Sequence, residues 1–226
     1  ERAEQKKDKS LLVIGNPTLD LPAAEQEAIA IAGLFPGAKL LTREKATEER
    51  VRELIPHFDF IHIATHGHLS ESNPLTSSLL LAEGDEISLY ELMGIPIKAE
   101  LVVLSACNTG QGDSSERDDV IGLTRGLLAS GAQSALVSLW PVADASASLF
   151  MQYFYGLLSK GVAVGKALRE SQEYLRSGDP ATLVEEVETL SRQIKTRAAQ
   201  FEDEELATNT DFSHPFHWAP FIYVGL

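Results

Sequence analysis

Two stretches of this 226-residue sequence end in residues able to do chemistry together. Phe60-Ile61-His62-Ile63-Ala64-Thr65 runs into His66-Gly67-His68, and Leu101-Val102-Val103-Leu104-Ser105-Ala106 runs into Cys107-Asn108-Thr109-Gly110. A thiol becomes a good nucleophile at neutral pH when a base takes its proton, and histidine is the usual base. Gly67 lets backbone approach a substrate closely, and its N–H, with that of Cys107, could hold an oxyanion. If the two apolar runs are neighbouring parallel strands, His66 and Cys107 leave the sheet on one edge, where α/β sheets gather their functional groups. The plainer alternative stays open: a lone buried cysteine commonly serves as a small apolar residue, and a strand-end histidine as a structural one.

Other chemistries fit less well. His62, His66 and His68 have the even spacing of a metal set, but they share a strand face only if the strand continues through Gly67. No acidic or cysteine partner follows at ligand spacing, so neither metal nor cofactor is expected. The sequence contains no GxxxxGK[ST] phosphate loop and no GxSxG nucleophile elbow. Cys107 is the single cysteine, which excludes an internal disulfide framework and a multi-cysteine zinc site.

The elements that must carry these residues are legible as short apolar runs. Residues 11–14, 60–64, 79–81, 101–104, 135–139 and 221–224 read as strands, and 38–41 as a weaker one. Several are continuously apolar, as expected of strands covered on both faces in a mostly parallel sheet. Helical spacing falls between them at 23–34, from Thr47 to about residue 55, at 119–129, from Asp144 through 158, and at 163–175. This alternation predicts a three-layer α/β domain with right-handed crossovers. Residues 182–201 place Leu183, Val187, Leu190, Ile194, Ala198 and Phe201 at 3–4 residue spacing, one long amphipathic helix. That stretch reads as an acidic helical insertion, 180–213, before the last strand; it either packs on the body or offers a docking surface.

Thirty-three acids against 19 bases give a net charge of −14. Residues 178–213 carry −6, 83–91 carry −4 and 111–119 carry −3, so the acidity is local and leaves a basic substrate or partner segment as an expectation. The balance argues against nucleic acid and anionic membranes as partners. No apolar run approaches the ~20 residues of a membrane span, and the charged first residues do not look like a signal peptide, so a cytoplasmic location is expected. The length suits one domain over 1–226. The charged start and the end directly after a strand suggest a piece of a larger protein.

The text "LPAAEQEAIAIAGLFPGAKLL", "ATEERVRELIPHFDFIHIATHGHLS", "PLTSSLLLAEGDEISLYEL", "AELVVLSACNTGQG", "DDVIGLTRGLLASGAQSALVSLWPVADASASLFMQYFYGLL", "GVAVGKALRESQEYLR" and "HPFHWAPFIYVGL" resembles the CHAT domain. This is a caspase-like cysteine peptidase module related to separases and often linked to tetratricopeptide repeats. ATHG and LSACNTG anchor the resemblance; the long acidic stretch before His214-Pro215 departs from it.

The resemblance implies a caspase-like fold with a six-stranded, mostly parallel sheet and helices on both faces. It implies His66 as general base, Cys107 as nucleophile and the N–H groups of Gly67 and Cys107 as oxyanion hole, with no obligatory third triad residue. "LWPVADAS" is similar to the separase segment whose aspartate selects a basic residue before the scissile bond. This carries Asp144 over as a substrate-binding candidate, with helix capping as its alternative. Asp113, with Asp118 and Asp119, follows the nucleophile in a loop that could line the site or bind calcium; the last two also read as acids at a helix N-terminus.

The implied function is a cysteine endopeptidase cleaving a specific protein substrate. It would be the effector module of a larger protein with upstream repeat or sensor domains, in bacterial signalling or defence. A catalytically silent caspase-like scaffold is the alternative, and a non-proteolytic hydrolase or transferase using Cys107 a weaker third.

Overall fold

The computed structural model describes residues 9–68, 70, 73–105, 124–140, 142, 144–179, 181–186, 189, 192 and 211–225. The strands are β1 (Leu11–Gly15), β2 (Lys39–Thr42), β3 (Phe60–Ala64), β4 (Gly67–His68), β5 (Ser78–Leu80), β6 (Glu86–Ser88), β7 (Leu101–Leu104), β8 (Ser134–Ser138) and β9 (Phe221–Gly225); all but β4 and β6 coincide with the apolar runs. Six of them form one sheet in the order β2-β1-β3-β7-β8-β9. The first five are parallel, and β9 closes one edge antiparallel to β8.

Side chains alternate between two cores. Leu12, Ile14, Ile61, Ile63, Val102, Leu104, Ala135 and Val137 share one core with Val51, Ile55, Ile87, Leu89 and Leu127. Leu11, Val13, Phe60, Leu101, Val103 and Leu136 share the other with Ala28, Ile31, Phe150, Phe154, Tyr155 and Ala167. Strands buried on both faces need apolar residues at every position, which is why these runs do not alternate in hydropathy. Helices α1 (Pro22–Gly33), α4 (Asp144–Ser159) and α5 (Val164–Ser177) cover the second core. Helices α2 (Glu48–Leu54) and α3 (Leu89–Met93), with helical residues 124–129, cover the first. A short helix α6 (Pro215–Trp218) leads into β9. The result is the expected three-layer α/β architecture.

Local signals set several boundaries. Thr47 caps α2 by accepting from the Arg50 N–H. Ser88 and Glu91 form a reciprocal capping box at the start of α3. Helix α4 begins at Asp144 itself, one residue earlier than a capping role predicts and within the usual scatter of helix ends.

Two of the strands read from sequence differ in where they pair. The run 79–81 does not enter the main sheet; β5 is the middle strand of a separate antiparallel sheet, β4-β5-β6. The weaker candidate, β2, of which only Leu41 is buried, forms one edge of the main sheet. A three-residue apolar run fixes that a strand exists but not which sheet hydrogen-bonds it.

Of the acidic stretch 180–213, the described residues 181–186, 189 and 192 are helical. Leu183 lies in the second core, and the Tyr174 hydroxyl donates to the Glu186 carboxylate, so this first part packs on the body. The remainder lies outside the described residues, apart from 211–213.

Candidate active site

β3 and β7 are adjacent and parallel, with Phe60 opposite Leu101 and Ile63 opposite Leu104. Beyond β3 the chain is held on both sides before it reaches the histidine. The Ala64 carbonyl accepts from the Asn16 N–H at 3.0 Å, and the Thr65 hydroxyl donates to the Leu80 carbonyl at 2.8 Å. The His66 carbonyl accepts from the Leu80 N–H at 2.9 Å, and Gly67 then pairs with Leu79 across β4 and β5. His66 therefore sits at the seam between the two sheets, its side chain about one quarter exposed.

His66 is not alone at this edge. Its Nε2 lies 3.0 Å from Oδ2 of Asp20. Burial, the largest single influence on Asp20, raises its carboxyl pKa; the Thr18 hydroxyl, the His66 charge and hydrogen bond and Asp20's own N–H together outweigh it. The net position is below the ordinary 3.8. Asp20 belongs to the turn after β1, where Asn16 (φ 51°) and Leu19 (φ 72°) take the left-handed backbone that L-residues rarely adopt. Asn16 ties this turn together. Its Oδ1 accepts from the Leu21 N–H at 2.8 Å, and its Nδ2 donates to Glu25, which Arg43 also engages at 2.9 Å.

A second polar group lies beneath the site. His62 is fully buried on β3, with Nδ1 3.2 Å from the Tyr155 hydroxyl and Nε2 3.1 Å from Glu27 Oε1. The Glu27 contact is at ion-pair distance but out of hydrogen-bond alignment. Burial, and then the Glu27 charge, push the Tyr155 phenol well above its ordinary 10.0, so its O–H is retained and can donate to His62. Glu27 also accepts from the Ser105 hydroxyl, and Ser105 donates its N–H to the Ile63 carbonyl at 3.0 Å. This group joins α1, β3, α4 and the exit of β7.

The proposed site residues stand as follows. His66 and Gly67 are described and lie together at the end of β3. Among the described residues, a Cβ added to Gly67 would meet only the Ser78 carbonyl oxygen, at an ordinary 3.7 Å, so none of them requires glycine there by packing. Cys107 and Asp113 lie outside the described residues, and of Asp144 only the backbone is described. The three even-spaced histidines occupy different environments: His62 is in the core, His66 at the seam and His68 exposed on β4. No cluster of metal-ligating side chains occurs among the described residues.

Asp20 and the Glu27–His62–Tyr155–Ser105 group escape sequence reasoning. The one available signal for Asp20 was its place in a polar turn, Asn16 to Asp20, just past the carboxyl end of a strand.

Several known proteins are similar to this chain. Tetratricopeptide repeat protein 28 of Homo sapiens is 29% identical over 261 residues, covering 94% of this chain and 9% of that protein. Its Mus musculus counterpart is 26% identical over 268 residues, with the same coverage. The chain thus spans about 9% of the length of these relatives. Among solved structures, pyridoxal kinase from Staphylococcus aureus in complex with ADP overlaps at TM-score 0.39 and 10% identity, over 96% of this chain and 99% of that one. The same kinase with AMP-PCP overlaps at 0.36 and 11%, over 73% and 85%. Overlaps this loose say nothing about shared chemistry. The family model for the CHAT domain matches residues 1–226, and with histidine and cysteine motifs following adjacent parallel strands, the chain belongs to the CHAT domain family.

Proposed function

We propose that the chain is a cysteine endopeptidase with Cys107 as nucleophile and His66 as general base. The observation that supports this most is the parallel adjacency of β3 and β7, the strands whose sequences run on into His66 and Cys107. The Cys107 thiolate attacks the carbonyl carbon of a peptide bond, and the N–H groups of Gly67 and Cys107 hold the developing oxyanion. Protonated His66 gives its proton to the leaving nitrogen as the C–N bond breaks. Water, losing a proton to His66, then attacks the thioester; the C–S bond breaks and releases the acid and the thiol.

On this reading Asp144 and Asp113 line the substrate cleft and favour a basic residue before the cut by charge pairing. The chain is a single domain, 1–226, serving a larger polypeptide with repeat or sensor domains, a role in keeping with tetratricopeptide repeat proteins among its relatives. A cytoplasmic effector role in bacterial signalling or defence belongs to the same proposal. No helix of the described residues is long and apolar enough to cross a membrane.

A non-catalytic scaffold is the second reading. The side chains that favour it are Leu75, Tyr90 and Met93, exposed on α3 and the neighbouring turn. A diverse peptide library, digested by the chain and read by mass spectrometry, tests both. Cuts after Arg or Lys support the enzyme and the Asp144 assignment. Cuts after apolar residues keep the enzyme and remove that assignment. Silence, alone and within the full-length protein, supports the scaffold.

A further inference from the structure

We propose that Asp20 is a positioning residue that holds the Nε2–H of His66 and so leaves Nδ1 as the nitrogen that serves the nucleophile. This rests on the reading of His66 as the general base and adds to it a third side chain and a tautomer. A carboxylate only accepts hydrogen bonds, so the imidazole nitrogen 3.0 Å from Asp20 Oδ2 must carry the proton. In the neutral ring the other nitrogen, Nδ1, is then the free base. When Nδ1 takes the thiol proton, Asp20 faces the resulting imidazolium and stabilises it by charge.

The turn that carries Asp20 is built to hold it there. Two non-glycine residues, Asn16 and Leu19, adopt positive φ, a costly choice that persists where the surroundings over-determine it. The buried Asn16 side chain, the Glu25–Arg43 pair and the Asn16 N–H to Ala64 bond lock the turn to α1, to the end of β2 and to β3. The Thr18 hydroxyl engages the other Asp20 oxygen, which leaves Oδ2 for the imidazole. The neighbouring acids are occupied elsewhere, Glu25 with Arg43 and Asn16, Glu27 with His62 and Ser105. The simpler role for Asp20, an acid ahead of the α1 N-terminus, explains neither the strained turn nor the aim at His66.

The single cysteine gives a readout that needs no known substrate: iodoacetamide alkylation across pH reports Cys107 alone. Asp20→Asn should move the acid limb of the alkylation profile to higher pH. It should slow the reaction at neutral pH by about two- to fivefold, the size of a half-exposed ion pair, and leave the high-pH plateau unchanged. Asp20→Glu should restore part of the loss. Nitrogen-15 spectra of the histidines in the native chain should show His66 protonated at Nε2.

An Asp20→Asn profile that overlays the native one, while His66→Ala alters it, overturns the positioning role and leaves the dyad standing. Slowing by one factor at every pH with a lowered unfolding midpoint means a merely structural role and overturns it too. Protonation at Nδ1 contradicts it directly. If His66→Ala leaves the profile unchanged, the dyad itself falls, and this proposal with it.

Discussion

Deleting one buried oxygen tests whether the polar group beneath the site is part of the fold's stability. Tyr155→Phe keeps the ring, which packs edge-on against His62, Phe35 and Phe154, and removes only the hydroxyl 3.2 Å from His62 Nδ1. Both residues are fully buried, so no water replaces the lost partner. The cost is one hydrogen bond plus an orphaned imidazole nitrogen, about 1–3 kcal/mol. Tyr153→Phe is the matched control: its ring stacks on Tyr174 and is 37% exposed, so the same deletion costs at most about 0.5 kcal/mol. Urea unfolding with unchanged slope reads the difference as a lower midpoint for Tyr155→Phe alone. Equal midpoints for the two variants would mean that the hydroxyl contributes no more inside than at the surface, and that the buried hydrogen bond to His62 does not stabilise the fold. Glu27 links this group to Ser105, two residues before Cys107, so Cys107 alkylation in the same variant shows whether the loss reaches the β7 exit.

Three further outcomes are expected. Gly15→Ala places a Cβ 2.5 Å from Ala28 Cβ and 3.0 Å from the Ala24 carbonyl oxygen, wedging α1 off β1; it should lower stability by about 1–3 kcal/mol in urea unfolding. Gly67→Ala meets no close atom among the described residues, so stability should stay within about 0.5 kcal/mol of the native chain while peptide cleavage falls, separating a requirement of the site from one of the fold. His217 is buried, and both its ring nitrogens lack a hydrogen-bond partner among the described residues; burial, and then the charge of His214, push its pKa below the ordinary 6.5, against the pull of Asp211. Because the folded value is the lower one, its contribution is whole above pH 6.5 and is lost as pH falls through the folded value. Urea midpoints should therefore drop on acidification below 6.5, less steeply in His217→Phe, and an identical slope in that variant would remove His217 as the cause.

The sheet's centre is legible because burial on both faces writes itself into sequence as apolar runs; β1 and β7 are such runs, β3 is broken only by His62, and β8 keeps Ala135, Leu136 and Val137 between its two serines. The edge strand β2 is faint because one of its faces is half open, and the sheet to which β5 belongs is not legible because three apolar residues do not say which neighbour pairs with them. His66 and Cys107 are legible as candidates from the rule that chemistry gathers past strand ends. Asp20 is not, because its partner is 46 residues away and an acid beside a helix start already has an ordinary explanation. Glu27 is hidden for a related reason: within α1 it reads as part of a solvated face, yet the fold turns it inward onto His62 and Ser105.

The central claim is that Cys107, served by His66, cuts peptide bonds. Its most direct test is cleavage of one peptide mixture by the native chain, by Cys107→Ala and by His66→Ala, at equal folded concentration, with products counted by mass spectrometry. New termini are expected from the native chain and none above buffer from either variant. Cuts that persist in Cys107→Ala, or in His66→Ala at the native rate, would contradict it.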